Sequence, residues 1–217
     1  MYTLRRWVES VGGHALTIDG IANFEDACTV LANRGPEVHA NYQNLCPMFG
    51  VTWPAARGLC QRLSTTSLRG RSVLELGCGL ALPSLVAAKM GARVVATDQH
   101  PDTEAFLRRN MHNNGITALR YETFDWHGTL PAGVRERSFD HVIGSDVLYT
   151  IEMPDILARA YERFIGPNGT GWLTDPGRPW LTEFISACEG LGLSVSDDVV
   201  VGDDGKDDAF LLLLRRT

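Results

Sequence analysis

The run VLELGCGLALP at residues 73–83, followed by RVVATD at 93–98, constrains this chain more than any other stretch. It reads as a buried strand, a tight turn built on Gly77 and Gly79, a helix, and a second strand that ends on Asp98. Glycine is needed where backbone must approach a ligand closely or take positive φ. In an open α/β sheet such a turn lets a ligand lie over the carboxyl end of the strand, with helix N–H groups aimed at it. Asp98 lies 19 positions after Gly79, near the spacing of about 20 residues at which a carboxylate reaches the ribose of a bound nucleoside.

The turn departs from the dinucleotide pattern G-x-G-x-x-G. The third glycine would fall at Leu82, and Pro83 follows it, where a pyrophosphate would need space and amide donors. Glu75, just ahead of the turn, would repel a pyrophosphate but tolerate a ligand carrying an amino group and a sulfonium. The pattern E-L-G-C-G with the later Asp98 resembles motif I and its following acid in the seven-strand S-adenosylmethionine methyltransferases. That resemblance implies S-adenosyl-L-methionine as cofactor. Gly77 and Gly79 would admit it, Asp98 would accept hydrogen bonds from its ribose, and Glu75 would organise its methionine end.

The chain of 217 residues fits one α/β domain with a short N-terminal extension, here divided as 1–70 and 71–217. Its net charge of −6, from 20 basic and 26 acidic side chains, opposes binding to a phosphate backbone, so no nucleic-acid partner is expected. No apolar run approaches the ~20 residues that span a bilayer, and no apolar stretch of signal-peptide type follows Arg5-Arg6. Five cysteines without a C-x-x-C pair read as reduced thiols of a cytoplasmic protein. The six histidines do not cluster with them, and no metal is expected. The oligomeric state is not legible.

From residue 71 onward short apolar strands alternate with helical stretches, the pattern of βαβ units and a parallel sheet. Strands are predicted near 72–77, 93–98, 119–124, 140–146 and 170–174, and helices near 82–90, 101–114, 153–165 and 179–191. The segments 193–201 and 210–215 leave no room for a crossover helix, so they pair antiparallel or lie apart in the sheet. The acidic stretch between them, 202–208, reads as a solvated connection. Residues 24–33 and 54–63 read as short helices of an extension covering the cofactor site. The fold class is α/β: a doubly wound, mostly parallel seven-stranded Rossmann-like sheet, for which the resemblance implies a reversed strand at the C-terminal end.

A further strand ends in Ser145-Asp146 and runs into Val147-Leu148-Tyr149. Ligands in doubly wound sheets sit beyond the carboxyl ends of the strands, so Asp146 is expected to face the same crevice as Gly77 and Asp98. The segment Asp146–Tyr149 resembles the D-x-x-Y motif of the family-16 protein methyltransferases, most of which modify lysine. The segment Gly50–Ala56 (GVTWPAA) resembles their Trp-Pro segment, and Phe124-Asp125-Trp126 their tryptophan beside the adenine. Thr174-Asp175-Pro176-Gly177-Arg178 resembles the D-P-G-R segment of the electron-transfer-flavoprotein β-subunit lysine methyltransferases. The resemblance implies a protein N-methyltransferase with a protein substrate and a lysine acceptor. Asp146 would orient the amine, and Tyr149 and Trp53 would pack on its alkyl stem. Trp53, Asp125, Trp126 and Ser145 join the cofactor contacts. Two other readings stay open: a small-molecule N- or O-methyltransferase, and a cofactor-binding protein that acts through partners without catalysis.

Overall fold

A computed structural model describes residues 2–33, 45–126, 128–200 and 209–217. The acidic stretch 202–208 lies outside the described residues. Two strands open the chain, β1 (Leu4–Val11) and β2 (His14–Ile21), followed by helix α1 (Phe24–Ala32) and helix α2 (Pro54–Ser64). The body then alternates: β3 (Ser72–Leu76), α3 (Leu82–Lys89), β4 (Arg93–Asp98), α4 (Thr103–Asn113), β5 (Leu119–Thr123) and β6 (Phe139–Ser145). It closes with α5 (Met153–Phe164), β7 (Ile165–Asp175), α6 (Leu181–Gly190), β8 (Leu193–Val200) and β9 (Ala209–Arg216).

Seven strands form one sheet in the order β5-β4-β3-β6-β7-β9-β8. The first five in that row run parallel, and β9 pairs antiparallel with both β7 and β8. The order reverses between β4 and β6 around β3, the place where an open α/β sheet leaves a crevice at its carboxyl edge.

Each sheet face buries against its own helices. Leu74, Leu76, Val142 and Leu173 face Leu157, Tyr161 and Phe164 of α5 and Phe184 of α6. The spacing of those α5 residues puts them on one stripe of a helix. Val73, Val94, Ala96 and Ile143 face Leu59 and Leu63 of α2, Leu85 and Val86 of α3 and Phe106 and Leu107 of α4. Helix α2 is therefore a layer helix of the body. The Ala55 carbonyl accepts a hydrogen bond from Thr174 Oγ1 at 2.8 Å.

Two features differ from the sequence reading. The first is the β1–β2 hairpin, where only helices and irregular chain are expected. Gly12 and Gly13 both take positive φ, +55° and +75°, as a tight two-residue turn demands. The hairpin is held on α4: Asn110 and Asn114 donate to the Asp19 and Thr17 carbonyls, and Arg6 grips Asp19 at 2.6 Å. The second is β7, which starts at Ile165 rather than near 170. Gly166-Pro167-Asn168-Gly169 looks like a turn, yet Ile165 pairs with Phe139 and the register then shifts before Thr170 meets His141. A Cβ at Gly169 would lie 2.5 Å from the Phe139 carbonyl oxygen, so glycine is what lets the two strands stay together through that irregularity.

Candidate active site

At the carboxyl edge of β3, β4 and β6 the turn Gly77–Ala81 carries the chain into α3. Gly77 has φ +67° and Gly79 φ +51°. A Cβ at Gly77 would stand 2.7 Å from Val147 Cγ1, and one at Gly79 3.1 Å from the Phe49 carbonyl oxygen. Both positions therefore exclude side chains on conformation and on space.

Asp98, at the end of β4, holds this turn. Its Oδ2 accepts from the Gly79 N–H and its Oδ1 from the His100 N–H, both at 2.9 Å. Burial pushes the Asp98 carboxyl above the usual range, against the pull of those two amides. His100 is pinned in turn: its Nδ1 accepts from the Asp102 N–H, its Nε2 lies 3.2 Å from the Leu45 carbonyl oxygen, and its ring lies 4.2 Å from that of Phe49.

Across the turn Asp146 follows β6 with φ +59°, a conformation that costs a non-glycine residue of order 1 kcal/mol or more. Its N–H donates to the Thr174 carbonyl at 3.0 Å. Asp146 is buried, its side chain only 3% exposed. Asp146 Oδ1 accepts from Arg178 Nη2 at 3.0 Å, while Oδ2 is buried without a hydrogen-bond partner. Burial raises the Asp146 carboxyl, opposed by the Arg178 guanidinium.

A cavity of about 510 Å3 joins these groups, its walls including the glycine turn, Asp98, Asp146 and Arg178. Of the residues singled out from sequence, Trp53, Gly77, Gly79, Asp98, Asp125, Trp126, Ser145, Asp146 and Tyr149 all line it. Trp53 is anchored by its indole N–H on the Met48 carbonyl at 2.9 Å. Trp126 is fixed through its own carbonyl, which accepts from Arg163 at 2.9 Å, and its buried Nε1 has no partner. Tyr149 is 40% exposed, at the rim of the cavity.

Glu75 is the exception. It does not line the cavity. It lies behind the turn, 1% exposed, where its carboxylate accepts from the Ser84 N–H in the first turn of α3 at 3.1 Å. The cause is strand parity: Leu74 and Leu76 take the α5–α6 face, which sends Glu75 toward α2 and α3. The residues that sequence reasoning missed are Phe49 and His100, and the part played by Arg178. The left-handed turn and the apolar Pro47–Val51 stretch gave no local sign that Phe49 backs Gly79.

A protein-family profile described as lysine methyltransferase matches residues 39–174. The protein N-lysine methyltransferase METTL21A of Xenopus tropicalis is 30% identical over 149 residues, 64% of this chain and 67% of that protein. The histone-arginine methyltransferase METTL23 of Mus musculus is 32% identical, over 61% of this chain and 52% of its own length. The electron transfer flavoprotein beta subunit lysine methyltransferase of Mus musculus is 28% identical with the same two shares, 61% and 52%. The chain thus spans about half to two thirds of the length of these relatives. Among solved structures, the Thermus 16S rRNA N2 G1207 methyltransferase RsmC in complex with AdoMet and guanosine superposes with TM-score 0.66 at 16% identity, covering 100% of this chain and 52% of that one. The ribosomal protein L11 methylase of Lactobacillus delbrueckii does so with TM-score 0.61 at 14% identity, covering 77% and 81%. Profile, relatives and fold agree: the chain belongs to the lysine methyltransferase family and is built as a class I S-adenosylmethionine-dependent methyltransferase.

Proposed function

We propose that the protein transfers a methyl group from S-adenosylmethionine to a lysine amine of another protein. One observation carries this reading. A single cavity is lined by the Asp98-bound glycine turn, by the buried, strained Asp146 and by Tyr149 together.

The lining fits that cofactor. Among the described residues it contains no lysine, and its one arginine, Arg178, is engaged by two carboxylates. A phosphate would find no free cation there. Asp98, Asp125 and Asp146 instead make the wall acidic, which favours a ligand and an acceptor that carry positive charge. Asp98, on the cavity wall beside the glycine turn, is the acceptor that a ribose hydroxyl would meet. Gly77, Gly79, Trp126 and Asp125 would hold the adenosine, with Asp98 on its ribose, while Ser145 and Trp53 would border the sulfur end.

When bound, S-adenosylmethionine supplies a methyl group on a sulfonium, which departs as the neutral thioether S-adenosylhomocysteine once the amine lone pair takes the methyl. The chain must present that lone pair. A lysine amine with a reference pKa of about 10.4 costs ~4–5 kcal/mol to deprotonate at pH 7. Asp146, its charge offset by Arg178, orients the amine through a hydrogen bond, the positive charge of a bound sulfonium disfavours the ammonium form, and the proton leaves to water at the rim beside Tyr149. Positioning supplies the rest.

The segment 1–70 contributes cover: Cys46, Met48, Phe49, Val51, Thr52 and Trp53 form one wall of the cavity, which supports its role as a cap over the cofactor. The net charge of −6 supports a protein rather than a nucleic-acid partner, and five cysteines that form no disulfide among the described residues support a reducing compartment, the cytoplasm. No described helix is long and apolar enough to cross a membrane.

Incubation with labelled S-adenosylmethionine and a cell-lysate proteome, followed by acid hydrolysis, tests the reading. Labelled N-methyllysine is the expected product. Label found solely in small metabolites, or no label and no binding of S-adenosylhomocysteine, would refute it.

A further inference from the structure

Two of the five cysteines meet. Cys28 Sγ and Cys46 Sγ lie 3.8 Å apart, although 18 positions separate them in the chain. A disulfide bond is about 2.0 Å long, so the two sulfurs have to close by less than about 2 Å to form one. They differ in access. Cys28 is half-buried on α1, whereas Cys46 is buried and lines the cavity of the candidate site. The other three cysteines are unlike this pair. Cys60 and Cys188 are fully buried and Cys78 nearly so, and burial raises the thiols of all three, which makes them poor nucleophiles.

The pair sits where a cross-link would be felt. Helix α1 meets the cavity wall twice: the Phe24 ring packs edge-on against that of Trp53 at 6.0 Å, and Cys28 follows one turn later against Cys46. Residues four apart share a helix face, so one side of α1 lies along this wall. Around Cys46 the wall is tied to the rest of the site. The Leu45 carbonyl oxygen lies 3.2 Å from His100 Nε2, and the His100 N–H donates to Asp98 Oδ1. The Cys46 carbonyl accepts from the Met48 N–H at 2.8 Å, and the Met48 carbonyl anchors the Trp53 indole. Phe49 then backs Gly79. Drawing Cys46 toward α1 therefore pulls on Asp98 through His100 and on the glycine turn through Phe49.

We propose that Cys28 and Cys46 form a reversible disulfide under hydrogen peroxide, and that this bond and an occupied cofactor site oppose each other. Cys28, the accessible member, attacks one peroxide oxygen as its thiolate. The O–O bond breaks, the departing hydroxide leaves as water, and Cys28 becomes a sulfenic acid. The Cys46 thiol then attacks the Cys28 sulfur, the S–S bond forms, and the sulfenic oxygen departs as a second water. Two thiols thereby lose two electrons and two protons, and one peroxide is reduced to two waters. Cellular thiols reverse the bond by exchange, and a reducing compartment admits transient cross-links of this kind. The methyl-transfer reading enters in naming the ligand of the cavity; the meeting of the two thiols does not depend on it.

The test begins with the reduced protein, which is treated with hydrogen peroxide and digested with trypsin in the absence of reductant. Trypsin cuts between the two cysteines at Arg34, so a cross-link shows as one joined peptide. The expected result is a Cys28–Cys46 peptide that dithiothreitol releases, with Cys60, Cys78 and Cys188 still reduced. Calorimetry should show S-adenosylhomocysteine binding the oxidised protein roughly tenfold more weakly, the worth of one disturbed hydrogen bond. By linkage, saturating S-adenosylhomocysteine favours the dithiol by the same factor. It should move the midpoint potential of the pair, read in glutathione buffers, about 30 mV more positive. Cys28→Ser should bind S-adenosylhomocysteine as the wild type does and lose the response to peroxide. Cys28 driven to a sulfinic acid beside a reduced Cys46, or a joined peptide that leaves affinity and potential unmoved, would overturn the inference. So would a peroxide response that survives in Cys28→Ser. Each of these results leaves methyl transfer standing. A reduced protein that does not bind S-adenosylhomocysteine would instead overturn the reading of the cavity, and the coupling with it.

Discussion

Glu75→Gln isolates the cost of the one acid that sits behind the cofactor turn. Glu75 is buried among β3, α2 and α3, with the Ser84 N–H as its hydrogen-bond donor. Burial, reinforced by the nearby Asp98 charge and only partly offset by Ser84, lifts its carboxyl from an ordinary 4.5 to about 8. Between those values the folded protein keeps a proton that the unfolded chain releases. Stability therefore falls as pH rises through that window, by about 1.4 kcal/mol per pH unit, and levels off above it. At pH 7 the accumulated penalty is of order 3 kcal/mol, and at pH 4 it vanishes. Glutamine keeps an oxygen for Ser84 and cannot ionise. Its amide N–H2 costs about 1 kcal/mol if it finds no partner, a constant that does not vary with pH. Urea denaturation of both proteins at pH 5, 6, 7 and 8 is the assay. The difference in unfolding free energy should move in favour of Glu75→Gln by about 1.4 kcal/mol with each unit. Parallel stability curves would show that Glu75 ionises in the folded protein as it does in the unfolded chain, and that burial does not hold it neutral.

Asp98→Ala removes the acceptor of two backbone amides as well as the predicted ribose contact. Calorimetry with S-adenosylhomocysteine should show a loss of roughly tenfold to a hundredfold, the worth of a charge-assisted hydrogen bond; unchanged affinity would remove Asp98 from the cofactor site. Asp146→Asn keeps the shape of the acceptor contact and removes its charge. It should bind S-adenosylhomocysteine as the wild type does while turnover on the lysate proteome falls by roughly tenfold or more, and full turnover would exclude Asp146 from the mechanism.

The parallel part of the sheet is legible because each strand is a short apolar run followed by a turn residue and a helix start. Residues 93–98 are read and observed with the same limits, and the antiparallel ending follows from the missing crossover. The hairpin is not, although Gly12-Gly13 is a turn pair. Its first strand is mostly exposed, so the alternation that marks a half-buried strand is drowned by Arg5, Arg6 and Glu9. Its partners, Asn110 and Asn114 on α4 and Arg57 on α2, are far away in sequence. Trp172 is buried, stacked on His141 at 4.6 Å with Arg62 at 5.5 Å over its ring, an arrangement that no local pattern announces.

In the site itself, the line between legible and illegible is the line between strand ends and the contacts made across them. The topological rule places Gly77, Asp98 and Asp146 at one edge, because each ends a parallel strand on the same side of a switch point. It says nothing about where their oxygens point. Strand parity turns Glu75 away from that edge, and this much could have been read from Leu74 and Leu76 on either side of it. The grip of Arg178 on Asp146 could not. It exists because β6 and β7 are neighbours whose ends lie level, Ser145 opposite Thr174, which brings residues 32 positions apart within hydrogen-bond reach. A short D-P-G-R segment has a local meaning as a turn capped by its own aspartate, and here it has that meaning too. Its second meaning, the grip of Arg178 on Asp146, arises only when the sheet assembles.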